Sequence, residues 1–538
     1  MALPAALAPL RHPTFRMLWF AFVVTSVGTW LQNTGAGWLM TSLSPDPMIV
    51  SLVQAATIMP MCLLALPAGA LADIVDKRRF LIGTQTWTML CAALLAVLTL
   101  TGSIGATGLL ALTFTIGIGS ALTAPAWSAI TSELVPREDL VPAVALGGIG
   151  FNAARAIGPA LAGLILVLTS PGVTFVFYAC SILSVIGALI AWRRRERPSH
   201  APREQLLSAM RAGIRFVRNT PAMQLAMWRS AAFSVPAAAP WALLPLVVHK
   251  QLELGAGWYG AILGVMGVGG VSAGMWLPRV RASLSRGGLI LAATLLSCTG
   301  IALLALARHW APAMLGMLLF GMGWVSAYST LMASAQLVAP PWVRARALAI
   351  FQLSYNFTLA AGSFGWGWLG AHFGLSASLL VASGVGVGLA LISRQFGIDQ
   401  AAGLMSNVPR PESVTPPAEA PAAELVAVLP KSRGHVMETM RYRVAPDDRA
   451  TFLRVMNELR HVRGRSGARS WVLYEDVAHP DAWLESWVME NWADHLREAT
   501  RLSDVDMAAL SAAASFQEAS DYPAARYLAV DPHTGGPH

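Results

Sequence analysis

Five charged residues stand close together between two long apolar stretches of this chain. The segment GALADIVDKRR, residues 69–79, contains Asp73, Asp76, Lys77, Arg78 and Arg79, whereas residues 80–132 contain no Asp, Glu, Lys or Arg. Basic residues between apolar stretches fix the orientation of membrane helices. An acidic residue such as Asp73 does not contribute to that effect, so it needs a separate explanation.

A single arginine lies inside another uncharged stretch. Arg155 is the only formal charge in residues 141–192. An arginine in the middle of a membrane span costs at least about 2.5–3.5 kcal/mol unless it faces a cavity or a partner. Two interpretations stay open: Arg155 receives an anionic or catechol-like group of a substrate, or it ties its helix to backbone carbonyls of a neighbour.

Uncharged polar residues in the apolar stretches predict a cavity lining when they are taken as a group. Each of them alone is more often an interhelical hydrogen bond. The candidates are Gln32, Asn33, Gln54, Asn152, Gln352 and Asn356, to which Arg155 is added. Tryptophans in the same stretches either shape a bulky pocket or form belts at the membrane interface: Trp30, Trp38, Trp241, Trp324, Trp366 and Trp368.

The composition indicates a protein embedded in lipid. Of the 538 residues, 55% are hydrophobic and only 12% are charged, with a mean hydropathy of +0.54. Soluble domains carry about 25% charged residues. The net charge of +9 comes from basic residues in short loops between apolar stretches, which is a membrane pattern, so we expect a lipid bilayer and no nucleic acid as the partner.

Twelve stretches are long and apolar enough to cross a membrane, which takes about 20 residues each. They predict an all-α membrane domain over residues 1–398, with two six-helix halves. The first apolar stretch, from Phe15 to Leu43, is too long for a cleavable signal peptide. The predicted spans are 15–42, 48–72, 80–101, 106–131, 141–168, 173–192, 222–248, 257–278, 287–307, 311–338, 346–371 and 375–395.

Basic residues set the predicted orientation. With the N-terminus inside, the inner segments hold 19 Lys and Arg residues and the outer loops hold only Lys250 and Arg308. This predicts a multi-pass protein of the cytoplasmic membrane with both termini in the cytoplasm. The central loop, residues 193–221, contains REQLLSAMRAGIRFVRN, whose apolar residues share one helical face. We expect an amphipathic helix on the anionic inner leaflet.

The charged segment resembles the loop between spans two and three of the major facilitator superfamily. The matching positions are Gly69, Leu71, Ala72, Asp73 and the basic cluster Lys77–Arg78–Arg79. The stretch PAWSAITSELVPREDLVPAVAL, followed by NAARAIGPALAG, is similar to the enterobactin-exporter-like, "transmembrane secretion effector" branch of that superfamily. The resemblance covers residues 10 to about 395 and differs from the family pattern at Asp76, where a second glycine is frequent.

The resemblance implies a secondary exporter of small amphipathic molecules, siderophore-like or drug-like, driven by proton exchange through alternating access. It also implies a latch in which Asp73 meets the N-terminus of the eleventh span near residues 343–347 and holds the cytoplasmic gate shut. Gly158 and Pro159 match the exporter motif of the fifth span in part, because Ala162 stands where a glycine is expected. No Asp or Glu lies deep in any predicted span, so the proton carrier is not visible.

The last part of the chain is predicted to be soluble. A Pro- and Ala-rich linker, 399–432, precedes a β-α-β-β-α pattern over 433–530 that resembles the ferredoxin-like fold of antibiotic-biosynthesis monooxygenases. Regulation or self-association is the expected function of this tail. We expect no enzyme activity, no catalytic residue, no cofactor and no metal. The alternative is a membrane-tethered oxygenase or ligand sensor, with candidate groups at Trp471, Tyr474, Trp487, Asn491, Trp492 and His495.

Overall fold

The computed structural model describes most of the chain and divides it into two compact units. The described residues are 5–192, 206–340, 342–395, 421–426, 429, 432, 434–502, 504–517 and 525–529. We call the first the helical unit; it comprises Met1–Pro202, Trp228–Leu331 and Gln352–Gly397. We call the second the tail unit; it comprises Arg203–Met227, Met332–Phe351 and Ile398–His538.

Twelve long helices are described, six in each half of the chain's first 395 residues. Those of the first half are α1 (Pro13–Leu43), α2 (Pro47–Ile74), α3 (Lys77–Leu100), α4 (Ala106–Leu134), α5 (Leu140–Leu168) and α6 (Pro171–Ala191). A shorter helix, α7 (Leu206–Arg218), follows in the central loop. Those of the second half are α8 (Pro221–Leu246), α9 (Ala256–Ser283), α10 (Arg286–Leu306), α11 (Trp310–Val338), α12 (Arg344–Phe373) and α13 (Leu375–Arg394).

Local sequence signals explain where several of these helices begin. Asp46 accepts a hydrogen bond from the backbone N–H of Met48 at 2.8 Å, and Pro47 occupies the first position of α2. A side-chain acceptor and a proline are both favoured there because the first backbone N–H groups of a helix have no partner inside it. The same logic places Pro13 and Pro171 at the starts of α1 and α6.

The predicted spans agree with the observed helices. The largest difference is five residues, at the end of α9, where the prediction was 278 and the helix ends at Ser283. Eleven of the described helices are both long and apolar enough to span a membrane. The twelfth, α12, is long enough but more polar, because it begins with Arg344 and Arg346 and carries Gln352 and Asn356.

Helix contacts in the helical unit join α1 with α5 and α6, α2 with α4, and α3 with α4 and α6. In the second half α10 packs against α13, and α5 of the first half packs against α9 of the second. The α5–α9 contact therefore connects the two halves of the helical unit.

The tail unit contains a four-stranded antiparallel sheet covered by helices. Its sheet has the order β2-β3-β1-β4, and all described neighbours are antiparallel. The elements are α14 (Ala423–Val426), β1 (Val436–Arg443), α15 (Arg449–Ser466), β2 (Ser470–Glu475), β3 (Ala482–Met489), α16 (Trp492–Arg501), α17 (Asp504–Ala514) and β4 (Ala525–Leu528).

Alternation along the strands builds the core of this sheet. Val436, Met440 and Tyr442 of β1 are buried together with Trp483 and Trp487 of β3. Successive side chains of a strand point to opposite faces, so these residues share one face. Phe452, Met456 and Leu459, the predicted stripe of α15, are buried in the same cluster.

Candidate functional site

A cavity of about 300 Å³ lies inside the helical unit. Seven helices from both halves of the chain contribute to it, namely α1, α2, α5, α8, α9, α11 and α12. Its walls are mainly aromatic and aliphatic, with amide side chains and one charged residue among the described residues that line it. The lining is Trp30, Asn33, Thr34, Gln54, Thr57, Phe151, Arg155, Pro240, Trp241, Leu244, Tyr259, Leu263, Met317, Trp324, Tyr328, Gln352, Tyr355, Asn356 and Leu359.

Arg155 is the charged residue of the cavity. It lies on α5, fifteen residues after Leu140, so it is about 22 Å along that helix from its start. Its guanidinium carbon is 4.9 Å from the centre of the Trp324 ring. A cation over an aromatic face is stabilised by about 0.5–2 kcal/mol, which does not neutralise its charge.

Hydrogen bonds and stacked rings hold the aromatic residues around Arg155. The indole N–H of Trp324 donates to Tyr355 Oη at 3.0 Å, and the hydroxyl of Tyr328 donates to Gln352 Oε1 at 2.8 Å. Trp324 and Tyr328 are stacked at 5.8 Å with an angle of 6° between their rings. The surroundings of Arg155 are therefore fixed by partners that belong to α11 and α12.

Three tryptophans extend this aromatic wall across the cavity. The rings of Trp241 and Trp324 are 5.8 Å apart, and those of Trp30 and Trp241 are 6.1 Å apart. Such a wall accepts flat, apolar groups because aromatic rings bury large areas in defined orientations. The cavity thus combines an apolar surface with one cation and several amides.

The structure brings together five of the seven residues named from the sequence as a cavity lining: Asn33, Gln54, Arg155, Gln352 and Asn356. The other two lie elsewhere. Asn152 is exposed and its amide donates to the carbonyl of Gly148 on its own helix at 2.8 Å. Gln32 is 2% exposed and packs on another side of α1. One residue of offset turns a helical side chain by about 100°, which accounts for both.

The sequence interpretation missed the tyrosines. Tyr259, Tyr328 and Tyr355 line the cavity, and two of them accept or donate the hydrogen bonds described above. The sequence did offer an indication for two of them. Tyr328 and Tyr355 each place a hydroxyl within an apolar span, about one helical turn after Trp324 and Gln352, respectively. Tyrosine is also common at membrane interfaces, so the residue type alone did not separate the two environments.

Glycines allow α5 to approach two neighbours closely. A Cβ on Gly158 would lie 2.5 Å from Cβ of Trp30 on α1. A Cβ on Gly163 would lie 2.8 Å from Cα of Gly260 on α9. Both contacts therefore require glycine, and the second lies between the two halves of the chain. Pro159 is buried beside them.

Three residues of the charged segment 69–79 bind groups at the ends of helices in the first half of the chain. Arg78 donates to the carbonyls of Leu189 and Ile190 at 2.7 and 2.8 Å, at the end of α6. Lys77 pairs with Glu133 at 2.8 Å. Asp76 accepts from the backbone N–H of Arg79 at 2.8 Å and caps α3. Asp73 lies in the last turn of α2, and its side chain is outside the described residues.

Comparison with known proteins decides the family. The profile of a family described as "Transmembrane secretion effector" matches residues 4–532, nearly the whole chain. The chain belongs to the transmembrane secretion effector family. It is a membrane transporter of the major facilitator type, as the solved structures below also indicate by their fold.

One curated relative is the Staphyloferrin A transporter of Staphylococcus aureus (strain NCTC 8325 / PS 47), which is 26% identical over 257 residues. That alignment covers 47% of this chain and 64% of the relative, just under two thirds of its length.

Similar solved structures share the fold at low identity. A bacterial homologue of the human lysosomal transporter Spinster, in an inward-facing and unoccupied conformation, has a TM-score of 0.56 and 12% identity, over 75% of this chain and 98% of its own. A D-xylose–proton symporter has a TM-score of 0.56 and 14% identity, over 72% and 98%. A transporter of the POT family in complex with 5-aminolevulinic acid has a TM-score of 0.59 and 14% identity, over 70% of this chain and 94% of its own.

The tail of this family member holds a buried network of charges between its sheet and its helices. Arg463 of α15 donates to Glu485 and Glu498, both at 3.1 Å, and all three side chains are at most 9% exposed. Tyr442 and Trp471 donate to the same Glu485 at 2.7 and 2.9 Å. Burial, followed by the nearby Glu485, raises the pKa of Tyr442 well above its ordinary value.

Glu438, His495 and Glu498 form a second part of this network. Their ligand atoms lie within 4.8 Å of one another, a spacing that could hold a metal ion. Each is already engaged, however: His495 Nδ1 lies 2.5 Å from Glu438, and Glu498 accepts from Arg463. Burial raises the pKa of Glu498. Because Arg463 and His495 already compensate these carboxylates, we assign the cluster a structural role.

The tail unit also contains contacts between the sheet domain and segments of the transporter loops. Glu490, just after β3, accepts hydrogen bonds from Arg211 at 3.1 Å and Arg215 at 3.2 Å of α7. Arg501 of α16 lies 4.7 Å from the ring centre of Trp342, which precedes α12. The basic face of α7 is thus paired with the tail within this unit.

Proposed function

We propose that the chain is a secondary active exporter of small amphipathic molecules, siderophore-like or drug-like, that works by alternating access. The observation that carries the proposal is the cavity of about 300 Å³ with aromatic walls, amides and one cation, lined by helices of both halves. Sites of this size and mixed character bind small organic molecules. The Staphyloferrin A transporter among the relatives supports a siderophore-like cargo. We place the chain in the cytoplasmic membrane with both termini inside.

Proton exchange is the energy source that the family resemblance implies, and it stays a prediction. The direction of transport, export and not import, also rests on the resemblance. A cavity lined by both halves of the chain is compatible with either direction. The aromatic wall supports an amphipathic cargo, since it offers apolar area beside Asn33, Gln54 and Asn356 for hydrogen bonds.

The charged segment would act as a latch at the cytoplasmic side. Lys77 and Arg78 are bound to the ends of α4 and α6, which fixes the start of α3 within the first half. Asp73, five residues before Arg78, is the proposed partner of the N-terminus near residues 343–347, because a helix N-terminus favours an anion. Gly69, one turn earlier, lets the helix ends approach.

The tail is proposed to regulate transport and not to catalyse a reaction. Its strand order and its β-α-β-β-α-α-β sequence, which has one helix more than the β-α-β-β-α-β pattern, support a ferredoxin-like domain. Arg463 and its carboxylate partners are buried and paired with one another, which supports a structural role for them. Contacts of the tail with α7 and with Trp342 support a regulatory function, because both segments belong to the loops that connect the transporter helices.

Self-association is proposed for the open face of the same sheet. Val472 and Tyr474 of β2 and Tyr527 of β4 are 41%, 52% and 53% exposed on the side away from the buried cluster. Pairing of two such faces would bury them. Chemical crosslinking of the full chain in membranes, compared with Tyr474→Asp, tests this proposal: loss of the crosslinked dimer in the variant supports it, and an unchanged dimer argues against it.

The decisive experiment for the main proposal is efflux from cells. A panel of dyes, antibiotics and catecholate siderophores is followed with the full chain and with a variant truncated after residue 400, with and without a protonophore. Protonophore-sensitive efflux by both forms establishes a secondary exporter. If no compound of the panel is exported and the tail converts one of these compounds to a product, the results would favour the alternative of a membrane-tethered oxygenase.

A further inference from the structure

The charge of the cavity is unbalanced. Arg155 is positively charged, and among the described residues that line the cavity there is no Asp or Glu. The seven lining helices contain one acidic residue, Asp73, in the last turn of α2. It lies 19 residues after Gln54, or about 28 Å along the helix. Within these seven helices, the one carboxylate that could neutralise Arg155, or exchange a proton beside it, is therefore distant from the cavity.

The contacts that Arg155 makes with described residues hold the guanidinium in place without pairing its charge. Trp324 lies under it at 4.9 Å, and Tyr355 and Tyr328 keep Trp324 in position. A partly buried cation without a counter-ion is unfavourable in a membrane. A negatively charged cargo would remove that penalty by placing its anionic group against Arg155, with its apolar part on Trp241 and Trp30.

We propose that the cargo is an organic anion, such as a carboxylate, and that the membrane potential drives its export. This inference rests on the proposed export function. It adds the charge class of the cargo and replaces the predicted proton exchange by the membrane potential as the driving force. The loaded cavity is neutral, whereas the empty cavity carries the charge of Arg155. An inside-negative potential acts on the empty, positively charged cavity and favours its return to the inner side, so that each complete cycle moves one negative charge outward.

The magnitude follows from the charge that crosses. One charge moved through a potential of about 100 mV corresponds to about 2.3 kcal/mol. At 1.4 kcal/mol per factor of ten, this allows an accumulation of about 50-fold for a monovalent anion. A side chain that exchanges a proton is not needed for this step, and a protonophore abolishes it because it collapses the potential.

The test uses the purified full chain in liposomes. Valinomycin and potassium gradients set the potential, and nigericin sets a pH gradient without one. The probes are carboxyfluorescein, an anion, and rhodamine 6G, a cation with the same ring system; protein-free liposomes measure leakage. We expect carboxyfluorescein transport to increase several-fold when its compartment is negative, to be unaffected by the pH gradient alone, and to exceed rhodamine transport at least tenfold.

Variants connect this behaviour to Arg155. Arg155→Gln should lower carboxyfluorescein transport at least tenfold, and Arg155→Lys should retain most of it. Arg281→Gln, at the exposed end of α9, is the control because it removes the same charge outside the cavity. The inference is overturned if transport persists in Arg155→Gln, if transport does not depend on the membrane potential, or if only the cation is transported. None of these three results contradicts the proposed export function. Transport of neither dye by folded wild-type protein would refute the exporter itself.

Discussion

The ion pairs between Glu490 and helix α7 give a quantitative prediction for the tail. Glu490 lies 3.1 Å from Arg211 and 3.2 Å from Arg215, and the side chains of Glu490 and Arg215 are each 16% exposed, whereas Arg211 is 60% exposed. We expect Glu490→Ala to release α7 from the sheet domain. The substitution removes both hydrogen bonds and leaves Arg215 without its carboxylate partner.

The magnitude is set mainly by Arg215. A hydrogen bond to a charged group contributes about 1.5–3 kcal/mol when it is sheltered from water, and an exposed pair such as that of Arg211 contributes at most about 1 kcal/mol. We take about 2 kcal/mol for the change in the opening free energy of α7. This corresponds to an increase of about 30-fold in the population of the open state.

Hydrogen exchange of the full chain in lipid nanodiscs measures this quantity directly. The amides of residues 206–218 should exchange about 30-fold faster in Glu490→Ala than in the wild type, because they exchange through local opening. Arg215→Ala should give a similar increase, and the double variant little more. Glu475→Ala is the matched control, since it removes an exposed pair with Arg449 in the same sheet domain. Unchanged exchange of α7 in Glu490→Ala would refute the reasoning.

Three further predictions concern other parts of the chain. Gly163→Ala should lower the melting temperature of the purified protein by several degrees, because its Cβ would meet the backbone of α9 at 2.8 Å, whereas Gly147→Ala, with open space around it, should not. Asp73→Asn should lower transport at normal expression and insertion; unchanged transport would remove the latch. Burial, then Arg465 and Arg460, lower the pKa of His461. Stability of the tail should therefore fall as the pH is lowered below about 6.5, because the unfolded chain takes up a proton more readily than the folded one. Near-ultraviolet circular dichroism should show a smaller fall in His461→Gln.

The order and extent of the membrane helices could be read from the sequence with little error. Apolar runs of about 20 residues have few alternatives in lipid, where every backbone group must be paired within a helix. Helix α12 is more polar than such a run, because its residues Gln352 and Asn356 face the cavity instead of lipid. It was nevertheless predicted as a span, residues 346–371, by the same 20-residue criterion as the other helices.

The strands of the tail were equally visible, since their buried and exposed residues alternate. Helix α17 was not predicted, because its small residues carry little periodicity. The pairing of Arg211 and Arg215 with Glu490 was not visible either. The basic face of α7 had been assigned to the lipid surface, and only the fold brings residue 490 to residues 211 and 215.

Sequence alone determined the class of this protein: apolar length and the distribution of basic residues define a polytopic membrane protein, and the segment 69–79 with its neighbours indicates the family. Only the tertiary structure decided which polar residues share one cavity. The packing of helices that are far apart in the chain determines which face of each helix lines the cavity. Gly158 and Gly163 allow α5 to approach its neighbours closely. That packing places Arg155 beside Trp324, with no carboxylate among the described residues that line the cavity, and this arrangement supports the proposed anionic cargo.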